Sequence, residues 1–342
     1  MTDPARPRLE PDHHVRVYRS PAPRPYQALL VSIGALAVIP GIVAAFMRLV
    51  PPADDASGMT ASFIPYGMIA DLIALVCFAI ALVRGRQRVV LAIMTGLSAL
   101  LLILQLVWIG PQFVANPRPV TTEPFTVISL NTELGSVDVP QLRKISEQAD
   151  VVILVEVTPT AYRTIKDALQ PRFPDVVPST IEANNESMIL SRYPLRDARK
   201  LESTNPQWSA EAMIPQLGQV NLIAAHPCNP LCGHGHWTSE HRALLHRAEQ
   251  LDHRPEFLAG DFNATADHGP MRRLARHGFV SGTDITGAGW MPTYPANRRI
   301  VPPLIQIDHV LVNDRLTVTS IDRFKIAGTD HLGLIARLAG TG

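Results

Sequence analysis

Three apolar runs near the start of this 342-residue chain constrain it more than any other feature. They are QALLVSIGALAVIPGIVAAFMRLV (27–50), FIPYGMIADLIALVCFAIALV (63–83) and VVLAIMTGLSALLLILQLVWIG (89–110). Each holds roughly the 20 residues a helix needs to cross a hydrocarbon core about 30 Å thick. Three such runs, nearly free of charge and joined by short polar loops, are expected to form a transmembrane region over 27–112, not the buried helices of a soluble protein. Residues 1–26 are polar and rich in Pro and Arg. They read as a disordered tail, and their length argues against a simple signal peptide. Pro40 can kink the first helix, which neighbouring helices tolerate. Asp71 lies inside the second run. A carboxylate there is a functional candidate by default; standing alone, it is expected to face the bundle in a structural role.

Orientation follows from Lys and Arg near the helix ends. The tail carries Arg6, Arg8, Arg16, Arg19 and Arg24, and the second connection carries Arg84, Arg86 and Arg88. The first connection, PPADDASGMTA, has two Asp and no basic residue, although Arg48 just before it counts the other way. The expectation is a multi-pass cell-membrane protein with a cytoplasmic N-terminus and everything after residue 112 extracytoplasmic.

Residues 113–122, FVANPRPVTT, read as a linker, and the chain beyond alternates strand and helix signals. Strands are expected at 125–131, 151–156, 187–191, 211–215, 220–226, 307–313, 316–324 and 333–338, and an apolar run over 257–259 adds another. Helices are expected at 138–148, 158–170 and 238–251; the first two begin with a Pro in the first turn. Residues 123–342 thus form one mixed α and β domain with its own core. Polar side chains recur where these strands end or begin. VISLN ends in Asn131, VVILVE in Glu156, NLIAAH in His226, and EFLAGDFN in Asp261 and Asn263. Asp308 opens one late strand, and Asp330 with His331 precedes the last. Turn formation explains any one of them. As a set they suggest ligands gathered from distant parts of the chain at one edge.

In the pieces SLN, VE, NESMILSRYPL, AAHP, GDFNA, IDHVLV and TDHLGL, in that order, the domain resembles the endonuclease/exonuclease/phosphatase superfamily. The three preceding runs and the HP after a strand resemble its bacterial membrane-anchored branch. The resemblance implies a four-layer α/β sandwich, two sheets flanked by helices, following the transmembrane bundle. It implies a metal-dependent phosphoric ester hydrolase using Mg²⁺ or Mn²⁺. Glu156, Asn131 and Asp330 would hold the ion, since a hard divalent cation prefers oxygen ligands. Asp261 would align or deprotonate the water, Asn263 and His331 would contact the phosphate, Asp308 would fix the His331 tautomer, and His226 matches the family's second histidine. Asn185 and Arg192, within NESMILSRYPL, are the expected substrate-binding residues. Many members carry Gly where this chain has NNES, which puts the substrate mouth in question.

Cys228 and Cys232 lie in HPCNPLCGHGHW (226–237), and the third cysteine, Cys77, is in an apolar run. The pair could close a small disulfide loop, as suits an oxidising exterior, or bind zinc with His234 and His236. The disulfide is the simpler reading, because the catalytic site already implies its own ion. From residue 118 onward there are 22 Lys and Arg against 24 Asp and Glu, a net charge of −2. Proteins that grip nucleic acid through its backbone usually show a basic face. A membrane tether also raises the effective concentration of membrane-borne substrates. A lipid-linked or other envelope phosphoester is therefore expected ahead of nucleic acid, with an extracytoplasmic nuclease as the alternative and a catalytically silent membrane module as the outsider.

Overall fold

A computed structural model describes residues 25–52, 54–84, 87–251 and 254–342. The Pro- and Arg-rich tail lies almost wholly outside them, as does Arg86 of the second connection. Helix α1 (Pro25–Leu49) is followed by a short helix α2 (Asp55–Ala61), then α3 (Gly67–Arg84) and α4 (Arg88–Ile109). α1, α3 and α4 fall on the three apolar runs, and all three are long and apolar enough to cross a membrane. Small residues bring them together. Gly34 sits under Phe78, Gly41 under the Asp71 carboxylate, and Ala74 and Ala81 are fully buried. Such residues let backbones approach where apolar surroundings supply no hydrophobic drive. Asp71 faces the bundle, as expected, and accepts a hydrogen bond from Gln105 of α4.

α2 was not expected in the first connection. Its start is a capping box: the Asp54 carboxylate accepts from the Ser57 N–H at 2.9 Å, and Ser57 Oγ accepts from the Asp54 N–H at 3.3 Å. Two Asp that read as loop charge are therefore a helix start. α1 and α4 end, and α3 begins, on the side of the bundle that meets the α/β half. Arg48 pairs with Asp267 at 2.8 Å, the Tyr66 hydroxyl donates to Leu304 O at 2.9 Å, and His268 Nε2 lies 2.9 Å from Gly58 O. The segment expected to be a linker is tied down. Asn116 N–H donates to Ile285 O at 3.0 Å, and Arg118 Nη1 to the carbonyls of Asn313 and Leu316 at 2.6 and 2.8 Å.

Two six-stranded sheets follow. In chain order the strands are β1 (Phe125–Asn131), β2 (Val151–Val157), β3 (Asp175–Val177), β4 (Glu186–Ser191), β5 (Leu195–Lys200), β6 (Trp208–Ile214), β7 (Gly218–Ala225), β8 (Glu256–Asp261), β9 (Val280–Ser281), β10 (Asp308–Val312), β11 (Leu316–Phe324) and β12 (Gly333–Gly340). One sheet runs β11-β12-β1-β2-β4-β3, the other β5-β6-β7-β8-β10-β9. β1 pairs parallel with β2 across the helix α5 (Val139–Ser146), and α6 (Pro159–Leu169) follows β2. β7 pairs parallel with β8 across α7 (His234–Glu249). α8 (Gly269–Arg276) follows β8, and α9 (Gly282–Thr286) follows β9. Asp138 and Thr158 cap α5 and α6, so the Pro-led helices start where the sequence places them. β3, β5, β9, α8 and α9 escaped the sequence reading. β5 (LRDARK) is an edge strand whose side chains are mostly exposed, so it carries no apolar signal.

Alternation along the strands builds the layers. Val127 and Ile153 of the first sheet meet Leu222, Phe257 and Val310 of the second in the central core. Ile128 and Leu154 face α5 and α6 through Leu142 and Ile165, while Ile223 and Leu258 face α7 and α8 through Leu244 and Leu274. Each such side chain is worth about 1.5–3 kcal/mol on burial. The result is the α/β sandwich of helix, sheet, sheet and helix.

Candidate active site

The same alternation aims polar side chains. In β1, Val127 lies on the inner face, so Asn131, four residues on, does too. In β7, Leu222 and Ala224 put His226 on the inner side. In β8, Phe257 and Ala259 put Asp261 there, and in β10 Val310 and Val312 put Asp308 there. Glu156 is the exception that needs explaining. Val152 and Leu154 face the helices, and strict alternation would send Glu156 after them. A bulge in the β2–β4 pairing between Leu154 and Val157, with Glu156 at φ 58°, shifts the parity by one. Val157 takes the outer position and Glu156 turns to the site. In β8, Gly260 at φ 147° is required, because a Cβ there would overlap Ala225 O of the parallel neighbour.

The gathered groups are close. Asn131 Nδ2 donates to Glu156 Oε1 at 3.0 Å and to Asp261 Oδ2 at 3.1 Å, bridging the two sheets. Its Oδ1 accepts from the Glu133 N–H at 3.0 Å, so its amide nitrogen is the atom that faces the carboxylates. His226 Nε2 lies 3.7 Å from Glu156 and 4.0 Å from Asp261. Asn263, in a left-handed turn at φ 48°, has its N–H on Asp261 Oδ1 at 2.8 Å and one amide proton on Pro227 O at 3.0 Å. A second amide proton is left for a ligand. His331 Nδ1 lies 2.8 Å from Asp308 Oδ2, its Nε2 is 3.7 Å from Asp261 and 3.9 Å from Asp330, and its ring packs on Tyr294 at 4.9 Å.

Electrostatics follow burial. Burial alone would push His331 down, but Asp308 and then Asp261 hold it up at about 10. Burial raises Asp261 to about 7, with the His331 charge and the Asn263 and Asn131 hydrogen bonds pulling the other way. Burial, and then His331, lowers His226 to about 4, so its ring is neutral at pH 7. Its Nδ1 has no hydrogen-bond partner among the described residues.

Glu156, His226 and Asp261 can each offer a ligand atom within 4.8 Å of the others. Two carboxylates and a neutral imidazole form a donor set that could hold a divalent metal ion. This trio differs from the expected Glu156, Asn131 and Asp330. Asn131 donates to both carboxylates, and Asp330 lies beside His331 in the same pocket.

The pocket, about 400 Å³, is also lined by Asn185, which hydrogen-bonds Asn205 at 2.8 Å. Arg192 is a correction. It sits at the other end of β4, where Nη1 pairs with Asp150 Oδ1 at 2.6 Å, just before β2 begins. A six-residue strand separates it from Asn185 by roughly 20 Å, so the structure does not bring the two together. The structure pairs Cys228 with Cys232; the His234 side chain lies outside the described residues. Met59 and Ser62, from the connection between α1 and α3, also line the pocket, as does Tyr294. No sequence signal marked these three.

The family model of the endonuclease/exonuclease/phosphatase family matches residues 128–331, from β1 to His331. This chain belongs to that family. Its fold recurs in solved structures. A humanized D. rerio TDP2 is 14% identical with a TM-score of 0.53, over 64% of this chain and 99% of that one. An endonuclease/exonuclease/phosphatase from Bacteroides vulgatus gives 14% and 0.52, over 64% and 100%. A truncated Caenorhabditis elegans TDP2 gives 15% and 0.51, over 64% and 98%. At such identities the likeness speaks for the fold alone. Comparison with curated proteins finds no match. Endonuclease/exonuclease/phosphatase members are phosphoester hydrolases, and the apolar bundle lies outside the matched segment.

Proposed function

We propose that this protein is a membrane-anchored, divalent-metal-dependent phosphoesterase acting on a lipid-linked or other envelope phosphoester at the extracytoplasmic face. The observation that carries the reading is the composition of one pocket. Its floor holds Glu156, Asp261, Asn263 and His331, and its wall includes Met59 and Ser62 from between two apolar helices. A substrate entering there passes the rim of the bundle. A headgroup held in a bilayer reaches that rim more readily than a long polymer does, and the net charge of −2 beyond residue 117 offers nucleic acid little.

Glu156, His226 and Asp261 would hold the ion, with Asp330 nearby. Bound there, a divalent ion supplies Lewis-acid polarisation of a phosphoryl oxygen. Asp261, facing both Asn131 and His331, aligns the attacking water. Asn263 donates its second amide proton to the developing negative charge. His331, with Nδ1 held by Asp308, contacts the phosphate and presents Nε2 as the proton-carrying atom. Asn131 keeps the carboxylates of both sheets in register.

The test uses the intact protein with Mg²⁺ or Mn²⁺, comparing phospholipid vesicles with plasmid DNA at low and moderate salt. Turnover of vesicle phosphoesters that vanishes in Asp261→Ala supports the reading. DNA nicking that vanishes in Asp261→Ala, with no lipid turnover, hands the site to a nuclease. For orientation, a reporter fused after Gly342 is expected to be active only outside the cytoplasm; cytoplasmic activity would reverse the proposed topology.

A further inference from the structure

A second cavity, about 570 Å³, lies between the bundle and α8 and shares no lining residue with the catalytic pocket. Leu49 and Trp108, at the ends of α1 and α4, form its bundle side. Three guanidinium groups meet there. Arg48 pairs with Asp267 at 2.8 Å and stands over the Trp108 ring at 5.3 Å. Arg272 Nη1 donates to the main-chain carbonyl of Asp267 at 2.7 Å, and Arg276 Nε to that of Arg272 at 3.2 Å. The Asp267 carboxylate pairs with Arg48 and feels the Arg272 charge. A second acid on the wall, Asp284, is held up at about 6 by burial, against a hydrogen bond from Thr283, and at pH 7 it is still mostly ionised, so the three guanidinium groups face two carboxylates and keep the excess charge. The crowding registers on Arg272. Burial first, then repulsion from Arg48, lowers it to about 10 in spite of Asp267.

We propose that this cavity is a binding site for the phosphate-bearing headgroup of an anionic phospholipid. The position supports a lipid source. The helix ends that wall the cavity would lie at the depth of the headgroups if the bundle spans a bilayer, with Trp108 as the interfacial aromatic. Basic side chains at that depth attract anionic lipids, and guanidinium forks match phosphate oxygens in pairs. Leu49 and Trp108 supply apolar surface for the first carbons of an acyl chain. A lipid held here would join the bundle to α8, next to the chain segment that carries Asp261 and Asn263.

The experiment measures thermal unfolding of the intact protein in neutral detergent with EDTA. The probes are dihexanoyl phosphatidylglycerol, dihexanoyl phosphatidylcholine and inorganic phosphate. The anionic lipid is expected to raise Tm in a concentration-dependent way, and the other two are not. Arg272→Gln with Arg276→Gln should weaken the anionic lipid's apparent affinity at least about tenfold. Arg276 is exposed and Arg272 half-buried, so the variant is expected to fold, and its unliganded Tm checks this. Arg276→Glu alone, an exposed change, should weaken affinity more than Arg276→Gln. Equal stabilisation by the zwitterionic lipid or by phosphate, or undiminished affinity in the Arg272 and Arg276 variants, would overturn the proposal. Because neither arginine lines the catalytic pocket, that result would leave the proposed hydrolysis standing.

Discussion

The apolar bundle and the sandwich both bury polar side chains, to opposite ends. In the bundle, the Asp71 carboxylate is fully buried and accepts from Gln105, whose amide also reaches Gly41 O at 3.5 Å. That group of atoms is turned inward and closed off by small residues. At the sheet ends, His226, Asp261 and His331 are almost as buried, yet they face an open pocket. The two cases show that burial of a polar group does not by itself mark a site. A site also needs space beside the group.

The contrast is sharpest in activity. His331→Ala and Asp261→Ala are expected to lower phosphoester hydrolysis at least about a hundredfold, the low end for acid–base groups, while an initial-rate assay of Arg192→Ala should show little change. A large loss in the Arg192 variant would mean that the far end of β4 reaches the substrate after all. EDTA should abolish turnover, and Mg²⁺ or Mn²⁺ should restore it; full activity in chelator would remove the ion from the Glu156, His226 and Asp261 set.

In the bundle the expected damage is to stability. A Cβ on Gly41 would overlap the Asp71 carboxylate. Gly41→Val should therefore cost about 1–3 kcal/mol by thermal unfolding in detergent, without changing the KM of the folded fraction. A raised KM with unchanged Tm would tie the bundle interior to the pocket instead.

The smallest effect concerns a buried acid away from both. Burial pushes Glu256, at the start of β8, up to about 8, with Arg247 opposing. A carboxyl raised in the folded state favours folding below its unfolded value near 4.5, and that contribution is lost as pH climbs toward 8. Glu256→Gln should thus gain about 1–2 kcal/mol relative to wild type at pH 8 and close to nothing at pH 5. A larger gain at pH 5 would reverse the sign of this argument.

Much of this molecule is local and so was legible in its sequence. Twenty apolar residues make a spanning-length helix wherever they occur, and α1, α3 and α4 lie on the three runs. Alternating strands that stop at Asn131, His226 and Asp261 declare which face those side chains take, because the period of two carries to the strand end. Asp138 and Thr158 announce their helices through caps that involve neighbours three residues away.

Other features depend on packing across long separations. Glu156 reaches the site through a bulge that alternation alone would not place, since the extra residue is set by pairing with β4. Arg192 falls away from the site because an antiparallel partner sends β4 toward Asp150. Met59 and Ser62 become walls of the pocket because α2 folds back from the bundle onto the α/β half, where Gly58 O meets His268. The sequence by itself determined the helix lengths, the strand faces and the kinds of side chain at the strand ends. The tertiary structure decided which of those ends share a pocket and what stands at its rim, because distances between remote segments depend on how sheets, bulges and helices pack together.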